Sequence, residues 1–346
     1  MVDNPLLAQL LDGKVAALAR AVSLVENARV GFEELLAAIH PRLGSARRIG
    51  ITGPPGAGKS TLTERLVSAY RTRGLRVAVV AVDPTSPFTG GALLGDRIRM
   101  EQIALDPGVY IRSMATRGSL GGLATSTREV CDLLDAAGFD RILVETVGVG
   151  QSELDVARMA DTTILVLVPE SGDGIQALKS GVMEIADCFF VNKADRPGAD
   201  TVRREVELAL DLRLGKAQRR GPAHHGALQS TAPKDVGDGH PPDDRWRAPV
   251  LVGVATKGEG IEELVAALDR HWDWMGSSGE LGRRRRQRLA QRTREVVDRA
   301  TRRWVWQESH AEAAITTRLD AVTAGQVSPY ELAAEIVATL KEGARV

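Results

Sequence analysis

Nine residues, Gly53-Pro54-Pro55-Gly56-Ala57-Gly58-Lys59-Ser60-Thr61, carry the GxxxxGK[ST] spacing of a phosphate-binding loop. Glycines at this spacing let the backbone turn its N–H groups inward around phosphate oxygens, and a following helix amino terminus adds positive partial charge. In this reading Lys59 neutralises the β and γ phosphates of a nucleoside triphosphate, and the Ser60 hydroxyl ligates magnesium. A glycine-rich turn before a helix is the plainer alternative. The run Arg48–Thr52 before the loop and the apolar spacing of Leu62, Leu66 and Val67 after it supply the strand and helix that the phosphate reading requires.

A magnesium ion on a triphosphate needs further oxygen donors at strand ends on the same sheet edge. Asp83 closes the hydrophobic run ending Ala-Val-Asp, and Glu145 closes Arg-Ile-Leu-Val-Glu. Asp96, after the glycine-rich stretch 90–95, is a third candidate that a helix cap explains nearly as well. Gly148, three residues past Glu145, is placed to offer its N–H to the γ phosphate, so that the segment senses whether that phosphate is present. Lys59, Glu145 and Gly148 are therefore the expected catalytic set. Small GTPases of the Ras type carry Asp at the place of Glu145 and a water-orienting Gln directly after the glycine, where this chain has Val149; the nearest Gln is Gln151. Slow hydrolysis that a partner accelerates is the expected consequence.

Base choice is carried by Asn192-Lys193-Ala194-Asp195, which follows the short apolar run Phe189–Val191. The Asp195 carboxylate can accept from the two adjacent donors on the guanine edge, a pair that adenine does not supply. A site built on such a pairing rejects the unmatched analogue by about ten-thousandfold. A later run, ending Val254-Ala255-Thr256, brings backbone N–H groups toward the guanine oxygen. The bound species are thus expected to be GTP or GDP with Mg2+.

The elements that must position these residues are legible as well. Short β-branched runs at 48–52, 76–82, 109–112, 141–144, 163–168, 189–191 and 250–254 alternate with helix-length stretches. That alternation predicts a parallel sheet covered by helices. Residues 6–39 show helical apolar spacing, and the segment beyond 276 resumes it, with Ser328-Pro329 as a cap and first position of a last helix. The expected organisation is an amino-terminal helical segment (1–44), an α/β P-loop NTPase domain (45–275) and a carboxy-terminal helical segment (276–346). Residues 215–249, rich in Gly, Pro, His and Asp, read as an irregular loop within the domain.

Composition excludes other classes. With 45 basic and 45 acidic residues the chain is no general polyanion trap. The arginine run 283–288 lacks an aromatic platform, so a solvated or partner-facing helix is preferred to nucleic-acid binding. Cys131 and Cys188 are too few for a disulfide scaffold and read as buried apolar side chains in a reducing compartment. His224, His225 and His240 have no regular ligand spacing. Trp304 and Trp306 are too close to share a helix face, so at least one faces a neighbour. The start shows no signal-peptide pattern and no long apolar run spans a membrane, which places the protein in the cytoplasm.

Taken together, the segments GPPGAGKST, AVDPTSPFTGGALLGDRIRM, IRSMATRGSLGGLA, VETVGVGQSE, VNKAD and ATKGEGI closely resemble the MeaB/ArgK GTPases, whose human relative is the methylmalonic aciduria type A protein. The resemblance runs from about residue 45 to about 275. It implies a P-loop GTPase fold with amino-terminal helices and a carboxy-terminal dimerisation arm. It also implies a slow GTPase, a homodimer, and a chaperone that gates cofactor loading of adenosylcobalamin-dependent methylmalonyl-CoA mutase. A kinase of amino-acid transport proteins, the role once attached to the ArgK name, and a chaperone of another cobalamin-dependent acyl-CoA mutase are the alternatives. A metal-delivery GTPase is disfavoured by the lack of a Cys/His cluster.

Overall fold

The computed structural model describes residues 5–84, 101–116, 122–146, 152–169, 182–213 and 245–343. The chain divides into two compact units, Met1–Leu281 and Gly282–Val346. Asp96, Gly148, Gln151, the three histidines His224, His225 and His240, and most of the 215–249 stretch lie outside the described residues.

In the first unit the sheet comprises β1 (Arg47–Thr52), β2 (Val77–Pro84), β3 (Val109–Thr116), β4 (Arg141–Thr146), β5 (Thr162–Leu167), β6 (Cys188–Val191) and β7 (Val250–Val252). Their order is β3-β2-β4-β1-β5-β6-β7, with every pairing parallel. Each run read as a strand from its β-branched residues is one, because strands buried on both faces need apolar side chains at every position. β2 and β3 extend past the apolar runs, to Pro84 and Thr116, because they pair with each other along their whole length. β7 is shorter than its run. After Val252 the chain turns, and Val254 bridges back to Glu259.

Alternate residues face opposite layers, as the period of two requires. Ala78, Val80, Val82, Ile142 and Val144 pack with α1 (Pro5–Leu11), α2 (Val15–Glu26), α3 (Phe32–Ile39) and α5 (Gly122–Ala136). The intervening Val77, Val79 and Leu143 pack with α4 (Lys59–Thr72) and α8 (Ile261–Ser277) through Leu62, Leu66, Leu264 and Leu268. Two further helices, α6 (Ser152–Met159) and α7 (Ala199–Arg213), complete the layers, and a single turn at Glu101–Ala104 precedes β3.

Asp135 on α5 accepts from the backbone N–H groups of Gly44, Ser45 and Ala46, which ties the entry of β1 to that helix. Beside it Arg48 donates to Asp132 at 2.7 Å. Burial works to lower the Arg48 pKa, but the neighbouring acidic groups, Asp132 foremost and Asp161 and Cys131 with it, together outweigh burial and raise it, so the guanidinium keeps its charge. Cys131 and Cys188 are buried free thiols, each pushed up to about 12 by burial, hence inert at neutral pH.

The second unit holds most of α9 (Glu280–Arg303), a π-helical turn at Trp304–Glu308, α10 (Ala311–Thr323) and α11 (Pro329–Gly343). α11 opens with a capping box: Glu331 N–H donates to Ser328 Oγ at 3.1 Å, and Ser328 N–H to Glu331 Oε2 at 2.8 Å. Leu289, Val296, Val297, Trp304 and Trp306 stay partly exposed. The arginine run falls within α9. Among the described residues no helix is long and apolar enough to cross a membrane.

Candidate functional site

The carboxyl edge of the sheet gathers those described residues that spacing singled out. β1 ends at Thr52, residues 53–58 form the loop, and α4 starts at Lys59. Two glycines are sterically required. Gly53 sits at φ 141°, and a Cβ there would lie 2.2 Å from the Val166 carbonyl oxygen. Gly58, the helix N-cap at φ 86°, leaves no room either, since a Cβ would meet Asn192 Nδ2 at 2.4 Å. No side chain caps α4, and an uncapped helix amino terminus is suited to an anion. Pro54, Pro55, Gly56 and Ala57 complete the loop, and Thr61 is the third residue of the helix.

Lys59 is buried, and its ammonium donates to the carbonyls of Gly53 at 2.9 Å and Pro54 at 3.0 Å. The Ser60 hydroxyl donates to Glu145 Oε1 at 2.6 Å. The other carboxylate oxygen, Oε2, accepts from Thr63 Oγ1 at 2.8 Å. Glu145 is itself buried at the end of β4, so both of its oxygens are matched by hydroxyls from one helix. β2 lies beside β4 with Val82 paired to Thr146, which puts the backbone of Asp83 one step beyond, on the same edge.

The base-reading segments meet next to the loop. Asn192, buried after β6, donates through Nδ2 to the Ala57 carbonyl at 2.8 Å and accepts through Oδ1 from Ala255 N–H at 3.0 Å. One side chain thus links the phosphate loop to the turn after β7. Lys193 follows in the left-handed region at φ 57°, a conformation uncommon for a non-glycine residue and concentrated at functional sites. Asp195 lies beyond it with its carboxylate partly exposed, 3.7 Å from Lys257 Nζ. In the turn, Val254 N–H donates to the Glu259 carbonyl, Lys257 N–H to Val254 and Gly258 N–H to Ala255. Among the described residues, only Thr256 N–H of the amides at 254–258 makes no backbone or side-chain hydrogen bond.

Two residues in this arrangement have no motif to announce them. Thr63 reads as an ordinary helical threonine bonding back to the Lys59 carbonyl; that oxygen does lie 2.9 Å from its hydroxyl, whose single proton is shared between it and Glu145 Oε2. Arg65 reads as a surface charge, yet it reaches the Ala255 and Thr256 carbonyls. The only available hint to either is helical periodicity, which puts both on the turns just after the loop.

A sequence model for the family described as Methylmalonyl Co-A mutase-associated GTPase MeaB matches residues 18–310. The chain is a GTPase of the MeaB family. A protein of Pyrococcus abyssi that carries a GTPase name is 48% identical to this GTPase over 297 residues, covering 86% of this chain and 84% of that one. The Caenorhabditis elegans protein named methylmalonic aciduria type A homolog, mitochondrial, is 34% identical over 323 residues, covering 88% and 72%. Among solved structures, one titled LAO/AO transport system kinase covers 97% of each chain, with a TM-score of 0.65 and 28% identity. The MeaB-family GTPase therefore shares its α/β P-loop NTPase fold.

Proposed function

We propose that this GTPase is a nucleotide-gated chaperone of an adenosylcobalamin-dependent methylmalonyl-CoA mutase. The observation that carries the nucleotide half is Asn192, which ties the phosphate loop to the base-reading turn and so fixes the distance between the two ends of one ligand. The mutase half follows the family description and the name of the nematode relative.

The N–H groups of Gly56 and Gly58, together with the first turn of α4, hold the phosphates, and Lys59 exchanges its loop carbonyls for β and γ oxygens. Asp195 takes the guanine edge and Thr256 N–H the 6-oxygen. Magnesium fits the donor set. Among the described residues no cluster of three or more His, Cys, Asp or Glu forms a self-contained metal site, whereas Ser60 and Glu145 present oxygens from adjoining elements. Magnesium is characteristically held by one or two protein oxygens together with substrate phosphates. Ser60 would ligate it, with Glu145, Asp83 and Asp96 as direct or water-borne donors. Once bound, it would neutralise charge that develops on the phosphates. Hydrolysis is attack of water on the γ phosphorus with cleavage of the bond to the β-phosphate oxygen, giving GDP and phosphate. Gly148 reads the γ phosphate, so its loss changes the state of the segment after β4.

Thr63 then holds the second oxygen of Glu145 while Ser60 turns toward the metal. Thr63→Val keeps the shape and removes that donor. Half-maximal GTP turnover is expected to need about tenfold more magnesium, with the far-UV spectrum unchanged; an unaltered magnesium titration would dismiss the role.

The partly exposed apolar side chains Leu289, Val296, Val297, Trp304 and Trp306 support a homodimer built through the carboxy-terminal helices. The buried, inert thiols suit a reducing cytoplasm. The test mixes purified protein with methylmalonyl-CoA mutase, with GDP or a nonhydrolysable GTP analogue, and follows complex mass by light scattering. A dimer whose association with mutase depends on the nucleotide is expected. Equal or absent association in both states would refute the chaperone reading, and transfer of labelled phosphate to an amino-acid transport protein would favour the kinase alternative.

A further inference from the structure

Arg65, six residues after Lys59 on α4, reaches across to the turn at 255–257. Its Nε donates to the Ala255 carbonyl at 3.0 Å and its Nη2 to the Thr256 carbonyl at 2.7 Å. The first of these carbonyls belongs to the same peptide group as Thr256 N–H. That amide is the one at 254–258 with no acceptor among the described residues. A guanidinium fixed at the carbonyl end of a peptide sets the plane of that peptide. Its charge also polarises the group, making the amide at the other end a stronger donor.

We propose that Arg65 is a positioning residue for guanine selection, holding the Ala255–Thr256 peptide so that Thr256 N–H meets the purine 6-oxygen. The inference rests on the guanine reading of Asp195 and adds a second discriminator beside it. Guanine presents an acceptor at position 6, adenine an amino donor, so a rigid N–H there favours the first and faces the second donor to donor. The same side chain ties the base turn to the helix that begins at Lys59. The two ends of the site are then joined by Arg65 on the surface as well as by Asn192 in the interior.

The discriminators separate by ligand chemistry. An inosine nucleotide keeps the 6-oxygen and lacks the 2-amino group that Asp195 reads, and inorganic tripolyphosphate has no base. Calorimetry on the full-length protein would compare wild type, Arg65→Ala and Arg65→Lys with GDP, IDP, ADP and tripolyphosphate in the presence of magnesium. Arg65→Ala is expected to weaken GDP and IDP by the same factor, about tenfold, and to leave ADP and tripolyphosphate unmoved, so that the guanine-to-adenine ratio falls tenfold. Arg65→Lys, which keeps the charge but loses the two-pronged geometry, should recover part of the loss. Arg65 is exposed, so the fold should tolerate both changes. An unchanged ratio in Arg65→Ala, or equal weakening of all four ligands, overturns the proposal while guanine preference in the wild type stands. A wild-type protein without guanine preference overturns the base-site reading and this proposal together.

Discussion

Lys59→Ala is expected to lower the affinity for GTP with magnesium by about two orders of magnitude or more, enough to abolish retention of nucleotide through gel filtration. The ammonium is buried and held under the loop by two carbonyls of that same loop. It is therefore pre-positioned, and little side-chain entropy remains to be lost when phosphate arrives. Truncating one partner of a buried, hydrogen-bonded charge pair costs about 2–5 kcal/mol, and each 1.4 kcal/mol is about a factor of ten. The part-buried Pro54 carbonyl can turn to water when its donor is lost, whereas the buried Gly53 carbonyl is left short of one, so a modest fall in melting temperature without loss of the fold is expected. Calorimetry beside a thermal melt checks both points. Wild-type affinity in the variant would remove the phosphate assignment.

Asp195→Asn should produce the second large effect, a loss of GTP affinity of about a thousandfold or more with an inverted preference among purines. The carboxylate accepts twice. The amide that replaces it accepts once and donates once, leaving the 2-amino group of guanine facing another donor. Xanthine carries an oxygen at that position, so the variant should bind XTP better than GTP. Stability should hardly move, because the ion pair to Lys257 is exposed and 3.7 Å long, and such pairs contribute at most about 1 kcal/mol. Competition between GTP and XTP for a fluorescent nucleotide decides the matter; retained guanine preference would remove Asp195 from the base site.

How much of the molecule is readable from its sequence depends on how local each signal is. The strands are legible because a strand buried on both faces writes itself as an unbroken run of β-branched and other apolar residues, as in Thr162–Leu167, which is buried throughout. The phosphate loop is legible because its glycines serve local backbone needs. The register of β2 with β3 is not, since the apolar run stops before the pairing does. Nor is the wiring of the site. Thr63 meets Glu145 across 82 positions and Arg65 meets Thr256 across 191, and no periodicity within a helix encodes a partner that far away. Asn192 stands out through its motif as a guanine-side residue, but its two bonds run to the phosphate loop and to the turn after β7. Those partners come together only when β1, β6 and β7 share a sheet edge.

The amino-terminal helices form one wall of the sheet's interior. Leu10, Val22, Leu35 and Ile39 are fully buried against it. At about 2 kcal/mol for each such side chain, the four together contribute about 8 kcal/mol, as much as the entire margin by which a typical domain stays folded. Any attempt to carve out a minimal nucleotide-binding fragment at the start of β1 would strip that cladding and leave a greasy flank bare. The hydrolase and its helices at 5–39 must therefore be expressed and engineered as one piece.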